Sequence, residues 1–388
     1  MSYSRRLDRI PPYLFAEIDR KLAEKKAQGV DVISFGVGDP DMPTPAAVVD
    51  RLCEAARMPE NHRYPSYFGL AEFRASAARW LERRFAIKMD PSCEILPLMG
   101  SKEGIAHMAL AALDPGDIAL VPEPSYPVYA MGTLLAGAES HFLPLTPQGG
   151  FLPDLEGIPG DVLARARILW INYPNNPTGA VAQVEFFERA VAFCRAHNII
   201  LAHDNAYSEI TFDGFVAPSV LQVSNADDVA IEFHSLSKTF NMTGWRIGFA
   251  CGNPETLEAL GTIKTNIDSG IFNAIQIAGI EALDNRGEES RRMTGIYQAR
   301  RDLLVCGLTS LGWEVTAPRG TIYIWLPVPA GFDSLGFSRH VLDRAGVFFT
   351  PGNAYGPSGE GFVRLSLTVP DDRIEEAVER LGEVFGGG

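Results

Sequence analysis

The segment ILWINYPNNPTGAVAQVEFFERAVAFCRAHNIILAHD, residues 168–204, contains the pattern that decides the fold. Two short apolar runs, Ile168–Asn172 and Ile199–His203, end next to Asn, Pro or Asp residues, which is typical of buried parallel strands. Between them, Gln183–His197 repeats apolar residues at the spacing of one helical face. The segment therefore predicts a strand–helix–strand unit whose two strands run parallel in one sheet.

Similar apolar runs occur on both sides of this unit. They lie at Ile118–Pro122, Val229–His234 and Ile247–Cys251. Their alternation with helical patterns predicts an α/β fold with a mostly parallel, doubly wound sheet. We assign this sheet to a large domain spanning residues 45–285.

The two ends of the chain carry a different pattern. Helices are predicted at Tyr13–Ala27, Arg291–Leu311 and Asp372–Phe385, and strands at Gly312–Thr316 and Thr321–Pro327. These elements predict that residues 1–44 and 286–388 form a smaller α+β domain with an N-terminal arm. A cleft between two such domains is a natural place for a ligand.

Length and composition indicate a globular protein with two domains. The chain has 388 residues, of which 46% are hydrophobic and 21% charged. No apolar run approaches the ~18 residues that span a bilayer. The first residues are rich in arginine, and no apolar stretch follows them, so a secretory signal is not expected. We expect a cytoplasmic protein without a membrane segment.

The charge balance argues against a polyanionic partner. The 34 basic and 48 acidic residues give a formal net charge of −14, which would repel nucleic acid or an anionic membrane. The five cysteines are scattered and are expected to be free thiols, mostly buried. Neither the cysteines nor the seven histidines show a metal-ligand spacing, so no metal site is expected.

The strongest chemical motif is the segment HSLSKTF, His234–Phe240, followed by GWRIG, Gly244–Gly248. Two hydroxyls flank Lys238, and Arg246 follows eight residues later, so the motif offers a cradle for a phosphate dianion. A lysine fixed beside that cradle could form a Schiff base with an aldehyde cofactor that carries a phosphate. Taken alone, a solvated loop lysine and an ion-paired arginine would be the commoner arrangement.

Asp204 and Tyr207 strengthen the cofactor hypothesis. Asp204 follows a strand at its carboxyl end, where open α/β sheets bind ligands. A carboxylate there could pair with a protonated pyridine nitrogen, and Tyr207 could hydrogen-bond a ring oxygen. Taken alone, an aspartate that caps a helix and a tyrosine in the core would be the commoner interpretation.

Three further segments follow predicted strands or open helices. Asn176 lies in a Pro-flanked turn and could point its amide at a ring hydroxyl. Ser101 and Lys102 precede an apolar helical run whose free backbone N–H groups could bind phosphate. Tyr126 could stack on a flat ring.

In this order along the chain, these motifs resemble the class I/II aminotransferases, which depend on pyridoxal 5′-phosphate and have the aspartate aminotransferase-like fold. The resemblance extends over nearly the whole chain. It is carried by Asn176–Gly179 (NPTG), Asp204 with Tyr207, Ser235–Lys238 (SLSK), Arg246 and Arg364.

The resemblance implies a role for each matching residue toward the cofactor. Lys238 would form the Schiff base and move the proton between the substrate Cα and the cofactor. Asp204 would pair with the ring nitrogen, Asn176 and Tyr207 would bind the ring oxygen, and Tyr126 would stack on the ring. The implied phosphate ligands are Ser101, Lys102, Ser235, Ser237 and Arg246.

The resemblance also implies a homodimer with active sites at its interface, because Tyr64 matches a tyrosine that reaches the phosphate in the neighbouring subunit. Arg364 would clamp the α-carboxylate of the amino-acid or 2-oxo-acid substrate, and the backbone N–H of Gly38 would assist it.

A narrower resemblance points to the shorter bacterial LL-diaminopimelate aminotransferases. It rests on Arg9–Arg20, on Tyr64–Gly69 (YPSYFG) and on Gly100–His107 (GSKEGIAH). The implied reaction moves an amino group from glutamate to tetrahydrodipicolinate, in the route to lysine and the cell wall. The implied substrate-binding residues are Tyr13, Gly38, Lys102, Tyr126, Asn176 and Arg364.

Other functions remain open at this point. The same fold and residues would serve an aminotransferase for alanine, aspartate or another simple amino acid. They would also serve a carbon–sulfur β-lyase, which expels a leaving group from Cβ. A cofactor-bearing regulator that binds DNA is disfavoured by the net charge and by the lack of room for a helix-turn-helix domain before Tyr13.

Overall fold

The computed structural model describes residues 3–10, 14–285 and 287–385. The strands of this part of the chain are β1 (Ile33–Ser34), β2 (Ile95–Leu98), β3 (Ile118–Glu123), β4 (Glu139–Pro144), β5 (Ala166–Ile171), β6 (Ile200–Asp204), β7 (Ala230–Ser235), β8 (Gly248–Gly252), β9 (Tyr323–Pro327), β10 (Val347–Phe348), β11 (Thr350–Pro351) and β12 (Phe362–Ser366).

The helices of the same residues are α1 (Arg6–Arg9), α2 (Leu14–Ala27), α3 (Ala46–Ala56), α4 (Ala71–Phe85), α5 (Ser101–Ala112), α6 (Val128–Ala136), α7 (Gly160–Arg165), α8 (Val184–His197), α9 (Leu236–Thr239), α10 (Pro254–Ile267), α11 (Asn273–Asp284), α12 (Glu288–Ser310), α13 (Ser334–Ala345) and α14 (Asp371–Phe385).

A seven-stranded sheet forms the framework, in the order β2-β8-β7-β6-β5-β3-β4. The pairs among β7, β6, β5, β3 and β4 are parallel, whereas β8 runs antiparallel to both of its neighbours. The predicted α/β fold with a mostly parallel sheet is confirmed. The expectation that the run Ile247–Cys251 is a parallel strand was wrong, because the burial pattern of a central strand does not depend on its direction.

The sheet is buried on both faces, which explains the continuous apolar runs of its strands. Trp170 and Ala202 face a core that contains residues of α5 and α6, such as Met108. Their neighbours Leu169 and Leu201 face the opposite core, which is built on α8. Because successive side chains of a strand point to opposite faces, alternate residues supply the two cores.

A separate core, called here the C-terminal core, surrounds the C-terminal strands. The three-stranded sheet β11-β12-β9 and the pair β1-β10 pack with α12, α13 and α14 around residues such as Phe349. Tyr207 and Phe212, which lie between β6 and β7 in sequence, also pack in this core. The division of the chain at residues 45 and 285 into two domains stays a prediction.

Two smaller expectations need correction. No strand forms at Gly312–Thr316, which the structure describes as a turn followed by irregular chain, because the alternating pattern of so short a segment does not by itself secure a pairing partner. Only two of the five free cysteines are buried, since Cys53, Cys93 and Cys306 lie on exposed positions. Among the described helices, none is both long and apolar enough to cross a membrane.

Candidate active site

A cavity of about 440 Å³ opens where the carboxyl ends of the parallel strands meet. It collects most of the residues that the sequence singled out. The predicted residues that line it are Gly38, Ser101, Lys102, Tyr126, Asn176, Asp204, Tyr207, Ser235, Ser237, Lys238, Arg246 and Arg364. The topology explains this collection, because parallel strands deliver the residues that follow them to one edge of the sheet.

One predicted residue does not line this cavity, and the structure does not describe a second. The side chain of Tyr64 is 88% exposed and does not line it in the single chain. Tyr13 lies outside the described residues.

Asp204 ends β6 and projects a buried carboxylate into the cavity. The hydroxyl of Tyr129 donates a hydrogen bond of 2.8 Å to its Oδ2 atom. The Oδ1 atom is also buried but has no hydrogen-bond partner among the described residues. An orphaned oxygen on a buried carboxylate is a position for a hydrogen-bond donor or a cation from a ligand.

The surroundings of Asp204 have opposing effects on the pKa of its carboxyl group. Burial raises the pKa of Asp204 to about 6, and the hydrogen bond from Tyr129 opposes that rise, as do the neighbouring rings of His203 and His234. Tyr129 itself is fully buried and stacks on Trp170, with ring centres 5.2 Å apart. Burial raises the pKa of Tyr129 well above its ordinary value, so its hydroxyl stays a donor.

Lys238 lies on α9, directly after β7. Its Nζ atom donates a hydrogen bond of 2.6 Å to the carbonyl oxygen of Gly38. Burial lowers the pKa of the Lys238 ammonium, and the positive charges of Arg364 and Arg246 lower it further, while Tyr323 opposes them. A lysine whose pKa is lowered can act as a nucleophile or a base near neutral pH.

Arg246 and the start of α5 form a cationic corner of the cavity. Because β8 runs antiparallel to β2 and β7, its beginning, next to Arg246, lies at the same edge as the carboxyl ends of those strands. A Cβ at Gly100 would lie 2.3 Å from Nη2 of Arg246, so only glycine allows the guanidinium to approach the helix start. Nη1 of Arg246 reaches Ser237 Oγ at 3.5 Å. This corner suits an anion such as a phosphate.

In the turn after β5, the side chain of Asn172 holds Asn176 in place. Oδ1 of Asn172 accepts a hydrogen bond of 2.8 Å from the backbone N–H of Asn176, and Nδ2 of Asn172 donates to the carbonyl oxygen of Asp204 at 2.6 Å. These bonds fix the turn to the end of β6 and place Asn176 opposite Arg364.

Arg364 on β12 closes the other side of the cavity. Its guanidinium donates to Asn176 Oδ1 at 2.9 Å and to the carbonyl oxygen of Gly36 at 2.7 Å. The guanidinium carbon lies 4.0 Å from the ring centre of Tyr323 and 4.8 Å from that of Tyr355. Stacking between two aromatic rings orients a guanidinium and leaves its edge for a carboxylate.

Tyr207, which follows β6 of the large sheet, contacts Tyr323, which begins β9 of the three-stranded sheet. The hydroxyl of Tyr207 donates to that of Tyr323 across 3.2 Å. Burial would raise the pKa of Tyr323, but the nearby charges of Arg364 and Lys238 outweigh it and lower the pKa.

Sequence reasoning missed Tyr129, Tyr323 and Tyr355. Tyr323 and Tyr355 line the cavity, and Tyr129 supports Asp204 from behind. Tyr129 and Tyr323 have largely apolar neighbours in sequence, so each resembles an ordinary core residue, whereas Tyr355 lies in a loop segment rich in glycine and proline. The one available signal was the hydroxyl itself, because a buried tyrosine usually finds a hydrogen-bond partner.

Residues 30–381 match the family model for class I and II aminotransferases. The chain is 55% identical over 386 residues to an LL-diaminopimelate aminotransferase of Moorella thermoacetica, which covers 100% of this chain and 99% of that protein. It is 53% identical over 381 residues to the LL-diaminopimelate aminotransferase of Dehalococcoides mccartyi, with 98% of each chain covered.

Solved structures agree with this similarity. The substrate-bound BacF structure from Bacillus subtilis has a TM-score of 0.96 at 35% identity and covers 99% of this chain and 98% of that chain. A mutant aspartate aminotransferase of Thermus thermophilus has a TM-score of 0.91 at 30% identity, and the match covers 99% of this chain and 100% of that chain.

We predict that Asp204→Asn stabilises the ligand-free protein at pH 7 and changes its stability little at pH 4. Because the folded pKa of about 6 lies above the ordinary value of 3.8, the wild type loses stability as the pH rises through this range. The loss amounts to about 2–3 kcal/mol. Urea unfolding between pH 4 and 8 measures it, with the exposed Asp227→Asn as control. A variant less stable than wild type at pH 7 would contradict the prediction.

We also predict that Tyr129→Phe raises the pKa of Asp204 further, because the carboxylate loses the donor that favours its charged form. Carbon-13 NMR of the labelled aspartate carboxyls, or the pH dependence of unfolding, measures the titration. Tyr173→Phe is the matched control, because that buried hydroxyl donates to the carbonyl oxygen of Phe151 instead. An Asp204 titration unchanged in Tyr129→Phe would show that the hydrogen bond does not hold the charge.

Proposed function

The chain belongs to the class I and II aminotransferase family, and we propose that it is an LL-diaminopimelate aminotransferase. In the proposed reaction it moves an amino group between glutamate and tetrahydrodipicolinate, giving LL-diaminopimelate and 2-oxoglutarate. One observation carries the substrate assignment. Curated relatives from several organisms that are 51–55% identical over the whole length share this activity in their names.

The residues of the cavity fit the cofactor on which this family generally depends, pyridoxal 5′-phosphate. The unpartnered Oδ1 of Asp204 suits a protonated ring nitrogen. The cationic corner at Arg246 and Ser101 suits the phosphate. Lys238 is buried close to Gly38, with its pKa lowered. When bound, the cofactor supplies an electron sink that stabilises negative charge at the substrate Cα.

We assign the remaining positions as follows. Lys238 would hold the cofactor covalently until the amine of the substrate displaces it, and the freed lysine amine would then carry the proton that leaves the substrate Cα. Asn176 and Tyr207 would hydrogen-bond the ring oxygen, and Tyr126 would stack on the ring. The residues that would hold the phosphate are Ser101, Lys102, Ser235, Ser237 and Arg246.

We further assign the substrate α-carboxylate to Arg364. Its bonds to Asn176 and Gly36 fix the guanidinium plane, and the rings of Tyr323 and Tyr355 exclude water from its faces. A pre-oriented guanidinium forms two parallel hydrogen bonds with a carboxylate. Gly38, Lys102, Tyr126 and the arm residue Tyr13 complete the proposed substrate-binding set.

We propose a homodimer with active sites at the interface. Tyr64 is 88% exposed, and the neighbouring Tyr67 and Phe68 are about half exposed. A Cβ at Gly270 would lie 2.8 Å from the carbonyl oxygen of Ser66, so the segment containing exposed Ile267 packs beside this one. An exposed apolar patch of this kind marks an interaction surface. Tyr64 would reach the phosphate in the partner subunit.

A single-turnover titration tests the substrate assignment. The purified protein, loaded with cofactor, is mixed with LL-diaminopimelate, glutamate, aspartate, alanine or cystathionine, and the visible absorbance of the cofactor is followed. Bleaching by LL-diaminopimelate and glutamate alone is expected. Bleaching by alanine or aspartate instead would indicate a different amino-acid substrate, and release of ammonia without bleaching would indicate a lyase.

Lys238→Ala should abolish turnover, because no other amine is assigned to hold the cofactor or carry the Cα proton. The variant should also lose the visible absorbance of the covalently bound cofactor while its melting temperature stays near that of wild type. Absorbance spectra, steady-state rates and thermal unfolding measure these effects. Turnover at the wild-type rate would exclude Lys238 from the proposed role.

Arg364→Ala should raise the KM for glutamate about 10-fold or more, because a charged hydrogen-bonded contact contributes ~1.5–3 kcal/mol. Steady-state kinetics measure the change. Arg319→Ala is the control, since that guanidinium packs on the Phe215 ring outside the cavity. An unchanged KM would place the carboxylate elsewhere.

A further inference from the structure

Glu123, the last residue of β3, lies outside the assigned site but is tied to its wall. The carboxylate is 8% exposed, and its Oε2 accepts two hydrogen bonds from Ser358, at 3.2 Å from the backbone N–H and 2.6 Å from Oγ. Two residues later, the N–H of Ser125 donates to the carbonyl oxygen of Tyr355 at 3.0 Å. Residues 123–125 are thereby fastened to residues 355–358.

The loop that Glu123 holds is tightly folded. A Cβ at Gly356, where φ is +117°, would lie 2.5 Å from Glu123, and a Cβ at Gly352 would lie 2.0 Å from the carbonyl oxygen of Gly359. Residues 352–359 therefore pack as one unit, and side chains larger than glycine do not fit at the contact with Glu123.

The two fastened segments each carry a ring of the cavity wall. Tyr126 follows Ser125 directly, and Tyr355 stacks on the Arg364 guanidinium. The segment with Tyr126 ends a strand of the seven-stranded sheet, whereas the segment with Tyr355 lies between β11 and β12 of the other sheet. The hydrogen bonds between Glu123 and Ser358 thus join the two sheets beside the cavity.

We propose that Glu123 is a positioning residue for substrate: it fixes the loop that presses Tyr355 against Arg364, and so sets the orientation in which the guanidinium receives a carboxylate. The proposal rests on the assignment of Arg364 in the proposed function. It concerns mainly the binding of the carboxylate: among the described residues, the side chain of Glu123 bonds to Ser358 and to no residue assigned to the phosphate or the ring, so the Kd for glutarate should change much more than the Kd for the cofactor.

A double-mutant cycle tests this proposal. Glu123→Gln, Ser358→Ala and the double variant are compared as cofactor-loaded proteins. The Kd for glutarate, an unreactive dicarboxylate, is measured by calorimetry, and KM and kcat are measured with the amino donor that wild type consumes. Each single variant is expected to raise Kd and KM about tenfold, within the usual range of coupling between sites. The double variant should add little more, because both residues act through one contact.

Glu360→Gln is the matched control. Glu360 accepts hydrogen bonds from the N–H and Oγ of Ser334 at 2.7 and 2.8 Å. It also hydrogen-bonds the side chain of Asn353, so it ties the same loop to α13 instead of β3. Its Kd for glutarate should stay within about twofold of wild type. Additive effects of the two substitutions, an equal effect of the control, or a cofactor Kd weakened as much as the glutarate Kd in Glu123→Gln would each overturn the proposal.

The outcome is separable from that of the proposed function. If wild type fails to react with LL-diaminopimelate but the cycle shows coupling in glutarate binding, the substrate assignment falls and the positioning role stands. If wild type reacts as proposed and all variants bind glutarate like wild type, the positioning role falls alone.

Discussion

A carboxylate held almost without water, Asp204 at the end of β6, is the constraint on which the rest of the site depends. Removing an ionised carboxylate from water costs several kcal/mol unless partners compensate. Tyr129 donates a hydrogen bond to one oxygen of this carboxylate, and stacking on Trp170 fixes the position of the Tyr129 ring. The other oxygen is left for a ligand. The packing of α6 against the sheet therefore places the hydroxyl that stabilises the charged form of Asp204. A cationic ring nitrogen would be a partner for the other oxygen of this carboxylate.

The direction of the strands explains how the opposite charges reach the same cavity. Parallel strands bring Asp204 and Lys238 to one edge, although they lie far apart in sequence. The antiparallel β8 starts at that edge and so returns Arg246 to it. The chain as a whole carries a net charge of −14, yet the cavity concentrates lysine and arginine side chains. An anionic ligand would thus meet local cations that oppose the negative field of the whole protein.

Arg364 shows how the C-terminal core and its three-stranded sheet contribute to the site. It enters from the three-stranded sheet and meets Asn176, which the large sheet positions through the turn after β5. Tyr323 and Tyr355 enclose its guanidinium, so its orientation is set by packing before any carboxylate arrives. The cavity therefore depends on both sheets, and the contact of Glu123 with Ser358 is one of the places where they are joined.

The sequence by itself determined the α/β fold and most of the cavity residues, including Asp204 and Lys238. Apolar runs, helical periodicity and polar residues after strands are local patterns, and these residues lie in them. Only the tertiary structure decided the direction of β8, the missing strand at Gly312–Thr316 and the partnership of Tyr129 with Asp204. A tyrosine within apolar sequence carries no sign of which distant side chain its hydroxyl will meet. That pairing is set by how helices and sheets pack, because packing brings together groups whose separation along the chain is unrelated to their distance in space.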